Sequence, residues 1–239
     1  MKIIDLTHWI SIHGSKYPSD PVPVIDAVPA AFDQDGRLKS AVTELTIRPH
    51  HGTHIDAPAH KIPDGKTIDK YPLEMFINDA LLLDMMEFAD DGADVFIRDN
   101  GSRYVRKVTE DCIKRSLEGR YNDHIKAIII RTGYDKVIEA GVQDDMNFPF
   151  LDPDAASYLA MLGLNIVGID SFSVDPKGSA RSPSHSILLG RDCLIAETLV
   201  NLYALKAAAG ISTFRLHAAP VIIEGSDAAP ARVYAEVGI

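Results

Sequence analysis

Residues Ala127-Ile128-Ile129-Ile130-Arg131-Thr132-Gly133 form an apolar run closed by a charge, a hydroxyl and a glycine. A half-solvated strand alternates apolar and polar side chains, so four consecutive apolar residues indicate a strand covered on both faces, as in parallel sheets. Working outward, the flanking segments supply helices. Thr109 stands before Glu110 and Asp111, a capping hydroxyl followed by carboxylates where the helix dipole favours negative charge, and the pattern predicts a helix over 109–117. Pro153 to Gly163 predicts another helix, stopped by glycine, and Ile166-Val167-Gly168-Ile169-Asp170 repeats the buried-strand pattern. Strand and helix alternate through this half, which is the signature of an α/β fold.

The outer segments are more mixed. Residues 1–7 predict a short strand, and 8–40, rich in Pro, Asp and Gly, predicts a long loop serving as lid or rim, with Tyr17-Pro18-Ser19-Asp20-Pro21 as a rigid turn. Residues 42–50 alternate well enough to predict a strand that ends in histidines. Ala80–Met85 and Ser186–Leu189 predict strands, and the apolar stretch Cys193–Ala209 turns helical near Glu197. Phe214–Leu216, Pro220–Ile223 and Arg232–Val237 predict further strands. The expectation is one α/β unit over residues 1–239, its mixed sheet including several antiparallel strands.

Composition narrows the function classes. With 34 acidic against 24 basic residues the formal charge is -10, which disfavours nucleic acid and anionic membrane as partners, since both are polyanions. Cys112 and Cys193 are the only cysteines, so neither a disulfide framework nor a thiolate zinc knot is available. No apolar run approaches the ~18 residues of a membrane span, and Asp5 interrupts the opening residues far short of a signal peptide. A cytoplasmic protein acting on a small molecule is the expectation.

The chemistry concentrates in His50-His51-Gly52-Thr53-His54-Ile55-Asp56-Ala57-Pro58-Ala59-His60, four histidines and an aspartate in eleven residues. Near a strand end, positions 50, 54 and 56 share parity and can face one side. Two neutral imidazoles and a carboxylate suit zinc or manganese and leave a position open to water. Gly52 permits torsions closed to other residues, Pro58 stiffens the segment, and Thr53 can supply an outer hydrogen bond. His51 has the opposite parity and points away. His60 is left free to take a proton from water and return one to a leaving atom. His185 and Glu197 form a weaker pair. A carboxylate in an apolar segment is costly unless paired or metal-bound, but a surface imidazole and a paired carboxylate account equally for these two residues.

The run His-x-Gly-Thr-His-x-Asp-x-Pro-x-His resembles the metal-dependent cyclase-like hydrolase family, which includes bacterial kynurenine formamidase and isatin hydrolase. Further matches are Asp5-Leu6-Thr7, Arg131-Thr132-Gly133, Gly168-Ile169-Asp170-Ser171, Ser173-Val174-Asp175, and His185 with Glu197 ahead of Asn201-Leu202. The resemblance implies a swivelling β/β/α cyclase-like fold and assembly as a homo-oligomer, dimer or tetramer. It implies that His50, His54 and Asp56 bind one divalent ion, that Asp56, His185 and Glu197 hold a second, and that His60 is the catalytic acid/base, with Zn2+ or Mn2+ at one or two ions per subunit. Family pockets use aromatics of the early loop, for which Trp9 and Tyr17 are the candidates, with Phe76 and Phe172 as further substrate-binding residues. Where the formamidase pattern has Trp-Pro-Gly-Asp, this chain has Tyr17-Pro18-Ser19-Asp20, which leaves the substrate open. Arg131 is either a clamp for a substrate carboxylate or half of a strand-end ion pair, Ser171 and Ser173 either line the pocket or cap a turn, and none of the three is assigned catalysis.

The activity implied is arylformamidase-like hydrolysis of a C–N bond in a small aryl formamide, amide or cyclic imide/lactam, with metal-activated water as nucleophile. Two alternatives remain: an ester or lactone hydrolase with the same site, and a noncatalytic metal-dependent small-molecule binding protein.

Overall fold

A computed structural model describes residues 1–142 and 146–238. In chain order the elements are β1 (Lys2–Asp5), β2 (Val24–Phe32), β3 (Leu38–Thr46), β4 (His54–Asp56), β5 (Ile77–Asp84), β6 (Asp94–Ile97), β7 (Arg103–Val108), α1 (Glu110–Leu117), β8 (Ala127–Arg131) and α2 (Asp135–Glu139). They continue with β9 (Phe150–Leu151), α3 (Pro153–Met161), β10 (Ile166–Ile169), α4 (Pro183–Leu189), β11 (Leu194–Glu197), α5 (Leu202–Ala209), β12 (Phe214–His217), β13 (Ala228–Pro230) and β14 (Tyr234–Val237).

The apolar run at 127–130 is the middle strand of a nine-stranded sheet ordered β1-β14-β12-β5-β8-β10-β11-β4-β13. Its centre, β5-β8-β10-β11, is parallel, and antiparallel strands extend it on both sides. The period-two alternation of side chains divides the core in two. Ala127 and Ile129 face Leu202 and Leu205 of α5, while Ile128 and Ile130 face Ile113 of α1, Leu159 of α3 and Leu188 of α4. Each such isoleucine, withdrawn fully from water, contributes about 1.5–3 kcal/mol. At Gly168 a Cβ would lie 2.6 Å from Ile129 Cδ1 and 2.8 Å from Leu199 Cδ1, so the glycine lets these two side chains pack closely over the strand.

Helix α1 starts where its cap predicts, with Thr109 Oγ1 accepting a hydrogen bond from the Cys112 amide. Other expectations are corrected. Residues 8–40 are not one long loop, because β2 and β3 pair antiparallel as a ribbon. Nearly every side chain of that ribbon is exposed on both faces, so it carries no inside-outside alternation to be read. The strand expected over 42–50 ends at Thr46, and His50 and His51 lie in the turn that follows. Ser186–Leu189 is helical, since Pro183 opens α4 and the Ser186 amide already bonds back to Ser182. Glu197 ends a strand instead of starting a helix; left-handed Thr198 (φ 59°) and Asn201 (φ 58°) turn the chain before α5 begins. Pro220–Ile223 forms only an isolated bridge between Pro220 and Ala231, and β6, β7 and β13 arise where no strand was expected.

Candidate metal centre

Strand β4 is three residues long, and its neighbours determine what it does. It lies between β11 and β13, with His54 opposite Glu197 and Asp56 opposite Ile195 on one side and Ala228 on the other. Cross-strand partners lie about 4.5–5.5 Å apart at Cβ, so register alone places the His54 imidazole beside the Glu197 carboxylate. His50 reaches the same place by a turn through Gly52 (φ +67°), where a Cβ would stand 3.0 Å from the His8 carbonyl oxygen. His185 reaches the same place from α4.

These five side chains converge. His50 Nδ1 lies 3.0 Å and His54 Nε2 3.3 Å from Asp56 Oδ1, while His185 Nε2 lies 3.4 Å from Asp56 Oδ2 and 3.2 Å from Glu197 Oε1. His54 Nε2 is also 3.6 Å from Glu197 Oε2. Asp56 is fully buried, yet neither of its carboxylate oxygens has a hydrogen-bond partner, and buried His54 Nε2 has none either. An unpaired buried polar atom costs about 1–3 kcal/mol, so three pointing at one another form a set that a cation satisfies. The donor chemistry, imidazole and carboxylate without thiolate, suits a divalent metal such as zinc or manganese. Among the described residues, His50, Asp56 and His60 form one group whose ligand atoms all lie within 4.8 Å, and His54, Asp56 and Glu197 form another.

The electrostatics agree. Burial disfavours the charged form of His50, but the nearby Asp56 carboxylate and the hydrogen bond to Asp227 outweigh it and lift the imidazole to about 9. His54, against the same desolvation, is raised to about 10 by Asp56 and Glu197, and His185 is raised well above its usual range by Glu197, Asp175 and Asp56. Asp56 is held well below the ordinary carboxylate range despite burial, chiefly by His50 and His54. Protons therefore occupy, in the metal-free protein, positions that a cation would take.

Outer contacts set each ring's orientation. The His54 Nδ1–H donates to the Gly52 carbonyl at 3.0 Å, leaving Nε2 for the cluster. The His185 Nδ1–H donates to Asp175 Oδ2 at 2.6 Å, and Asp175 also accepts the amides of Ser184 and His185. Glu197 Oε1 accepts the Val174 amide at 2.8 Å. Thr53 stands outside the cluster, where its hydroxyl donates to the Thr198 carbonyl and accepts the His8 amide. His51 turns away, its Nδ1 accepting the Arg48 amide and its Nε2–H donating to the Pro21 carbonyl.

His60 ends a short 3-10 turn opened by Pro58, with its ring centroid 4.3 Å from that of His50 and 5.5 Å from that of His185. It lines a cavity of about 440 Å³ together with His50, His54, His185 and Glu197. Tyr17, Phe172 and Lys177 line the same cavity, the Lys177 ammonium lying 4.2 Å from the Tyr17 ring centroid. Trp9 and Phe76 stand elsewhere. Trp9 is 78% exposed beside a separate depression lined by His8, Glu139 and Arg232, and Phe76 is buried in the core against Tyr71. Ser173 lines the cavity, whereas Ser171 donates to the Pro149 carbonyl and Arg131 pairs with Asp84 at 2.8 Å.

Two carboxylates to which the sequence reasoning gives no role stand behind the histidines. Asp175 backs His185, and Asp227 Oδ2 accepts from both His50 Nε2 at 3.1 Å and His60 Nδ1 at 2.9 Å. Both are lone carboxylates, and Asp227 lies more than 160 residues along the chain from either histidine, so no local spacing flags it.

Comparison with known proteins places this arrangement. The chain is 27% identical over 202 residues to a kynurenine formamidase of Bordetella avium, covering 82% of this chain and 81% of that protein. A kynurenine formamidase of Salinibacter ruber is 27% identical over 236 residues, covering 97% and 96%. Isatin hydrolase A of Labrenzia aggregata, solved with benzyl benzoate, shares the fold at a TM-score of 0.77 and 23% identity, with 99% of this chain and 93% of that one covered. The Cyclase family model matches residues 4–176, and the chain belongs to that family of metal-dependent hydrolases.

Proposed function

We propose that the protein is a divalent-metal-dependent hydrolase of a C–N bond in a small aryl formamide, amide or cyclic imide/lactam. The observation that carries this reading is the trio of buried, partnerless atoms, Asp56 Oδ1, Asp56 Oδ2 and His54 Nε2, beneath a cavity that His60 also lines. His50, His54 and Asp56 would hold one Zn2+ or Mn2+, and Asp56, His185 and Glu197 a second, since the two Asp56 oxygens face different imidazoles. A bound cation supplies positive charge that lowers the pKa of water and polarises a carbonyl. His60, 21% exposed and at the cavity wall, takes the proton of the attacking water and delivers it to the departing nitrogen. Tyr17 and Phe172 offer aromatic surface against which an aryl group stacks. The similarity to kynurenine formamidases supports the formamide end of this range.

Assembly as a homodimer or tetramer is part of the proposal. A two-stranded ribbon is marginal by itself, and β2–β3 exposes Val24, Ile25, Phe32, Leu38, Val42 and Leu45, an apolar set that a second copy would cover. Among the described residues no helix is long and apolar enough to cross a membrane.

The test is turnover by zinc- and manganese-loaded protein on N-formyl-kynurenine, isatin, simple lactams and simple lactones side by side. Cleavage of the nitrogen compounds is expected. Faster cleavage of lactones would move the assignment to an ester hydrolase, and full metal loading without turnover of any compound would leave a binding protein.

A further inference from the structure

We infer that Asp227 is a positioning residue that sets the tautomers of His50 and His60 together and so ties metal binding to the orientation of the proton-transfer group. This rests on the proposed roles of those two histidines. A single oxygen, Asp227 Oδ2, meets His50 Nε2 at 3.1 Å and His60 Nδ1 at 2.9 Å. An ionised carboxylate only accepts, so each nitrogen facing it carries the hydrogen. For His50, once a cation replaces the hydrogen on Nδ1, the atom 3.0 Å from Asp56 Oδ1, this leaves Nδ1 as the ligating lone pair. For His60 it leaves Nε2 as the acceptor available to a substrate or water. With the opposite tautomers, His50 would turn a hydrogen toward the ligand cluster and His60 would hold its lone pair against Asp227.

The carboxylate is held in place by the main chain. The Ala57 amide donates to the Asp227 carbonyl at 2.9 Å, and the next residue, Ala228, pairs with Asp56 as β13 begins. The sheet edge that delivers Asp56 to the cluster therefore also delivers Asp227 to the two rings. Carboxylates hydrogen-bonded to the far nitrogen of a liganding histidine fix its tautomer and typically alter affinity or activity by about 10–100-fold when removed. Here one such group serves two rings, and the ring centroids of those histidines are 4.3 Å apart.

The experiment uses the zinc-loaded full-length protein and reads histidine tautomers from 15N–1H correlation spectra, zinc affinity by chelator competition, and kcat separately from KM. In the native protein His60 is expected as the Nδ1–H form. In Asp227→Leu that signal is expected to become a mixture, zinc affinity to fall about 10–100-fold, and kcat to fall with a smaller change in KM. Asp227→Asn, which keeps an acceptor oxygen, should retain the native tautomers. A native His60 in the Nε2–H form overturns the inference even if the leucine variant does not fold. So does a folded leucine variant with unchanged tautomers and zinc affinity. Neither spectrum nor affinity depends on a substrate, so an absence of turnover by the native protein would count against the hydrolase assignment alone.

Discussion

The floor and the wall of the site are built differently. The floor, His54, Asp56, His185 and Glu197, has side chains at most 5% exposed, set by the β4–β11 register and by α4. The wall, His50, His60 and Asp227, has side chains 21–39% exposed and stands on turns and a strand entrance. Three floor atoms, Asp56 Oδ1, Asp56 Oδ2 and His54 Nε2, lack hydrogen-bond partners, whereas the wall rings share a carboxylate. The difference teaches a division of labour. Under the proposed function the buried, unsatisfied atoms would hold a cation with His50 at their rim, while half-exposed His60 would exchange protons with whatever enters the cavity.

The sharpest way to break this division is Asp56→Ala, which removes the two floor oxygens that lack hydrogen-bond partners. Metal content by elemental analysis is expected to fall to background at both positions, and turnover with it. His60→Ala tests the wall. It should keep the metal content of the native protein while kcat falls about 10²–10⁴-fold, the usual worth of positioned proton transfer. Because His60 also lies in a potential ligand group with His50 and Asp56, loss of one metal equivalent in this variant would move His60 to the floor.

The third prediction is smaller and concerns pH. In the metal-free protein His50 and His54 stand at about 9 and about 10, above their ordinary 6.5. A histidine raised on folding contributes stability that is present below its unfolded value and lost as pH rises through the folded one, so the metal-free protein should lose stability between about pH 6.5 and 10. Metal must displace the same protons, so zinc affinity should rise about tenfold or more per pH unit over the lower part of that range. Melting temperatures across the range, with and without zinc, should therefore diverge as pH increases; parallel curves would contradict the proton placement.

Sequence disclosed the centre of the fold better than its edges. The runs at 127–130 and 166–169 are apolar because both sheet faces are covered, and Thr109 marks a helix start because its hydroxyl caps one. Ser186–Leu189 and the residues before Glu197 are short apolar runs, for which helix and strand share a composition and tertiary pairing decides. The ribbon at 24–46 lacks a buried face and so lacks a pattern. At the site, the parity of His54 and Asp56 holds because both lie in β4, but His50 joins them through the Gly52 turn and not along a strand. Asp175 stands in a matched run without a role, and Asp227 is illegible because its partners are assembled by topology.

Gly52 has a last consequence. The oxygen that orients His54 belongs to a peptide group, whereas the one that orients His50 belongs to a side chain. Mutation can exchange Asp227 for any other amino acid, but no codon deletes the Gly52 carbonyl. One imidazole is thus open to evolutionary retuning through its support, and the other can be adjusted only by redrawing the loop.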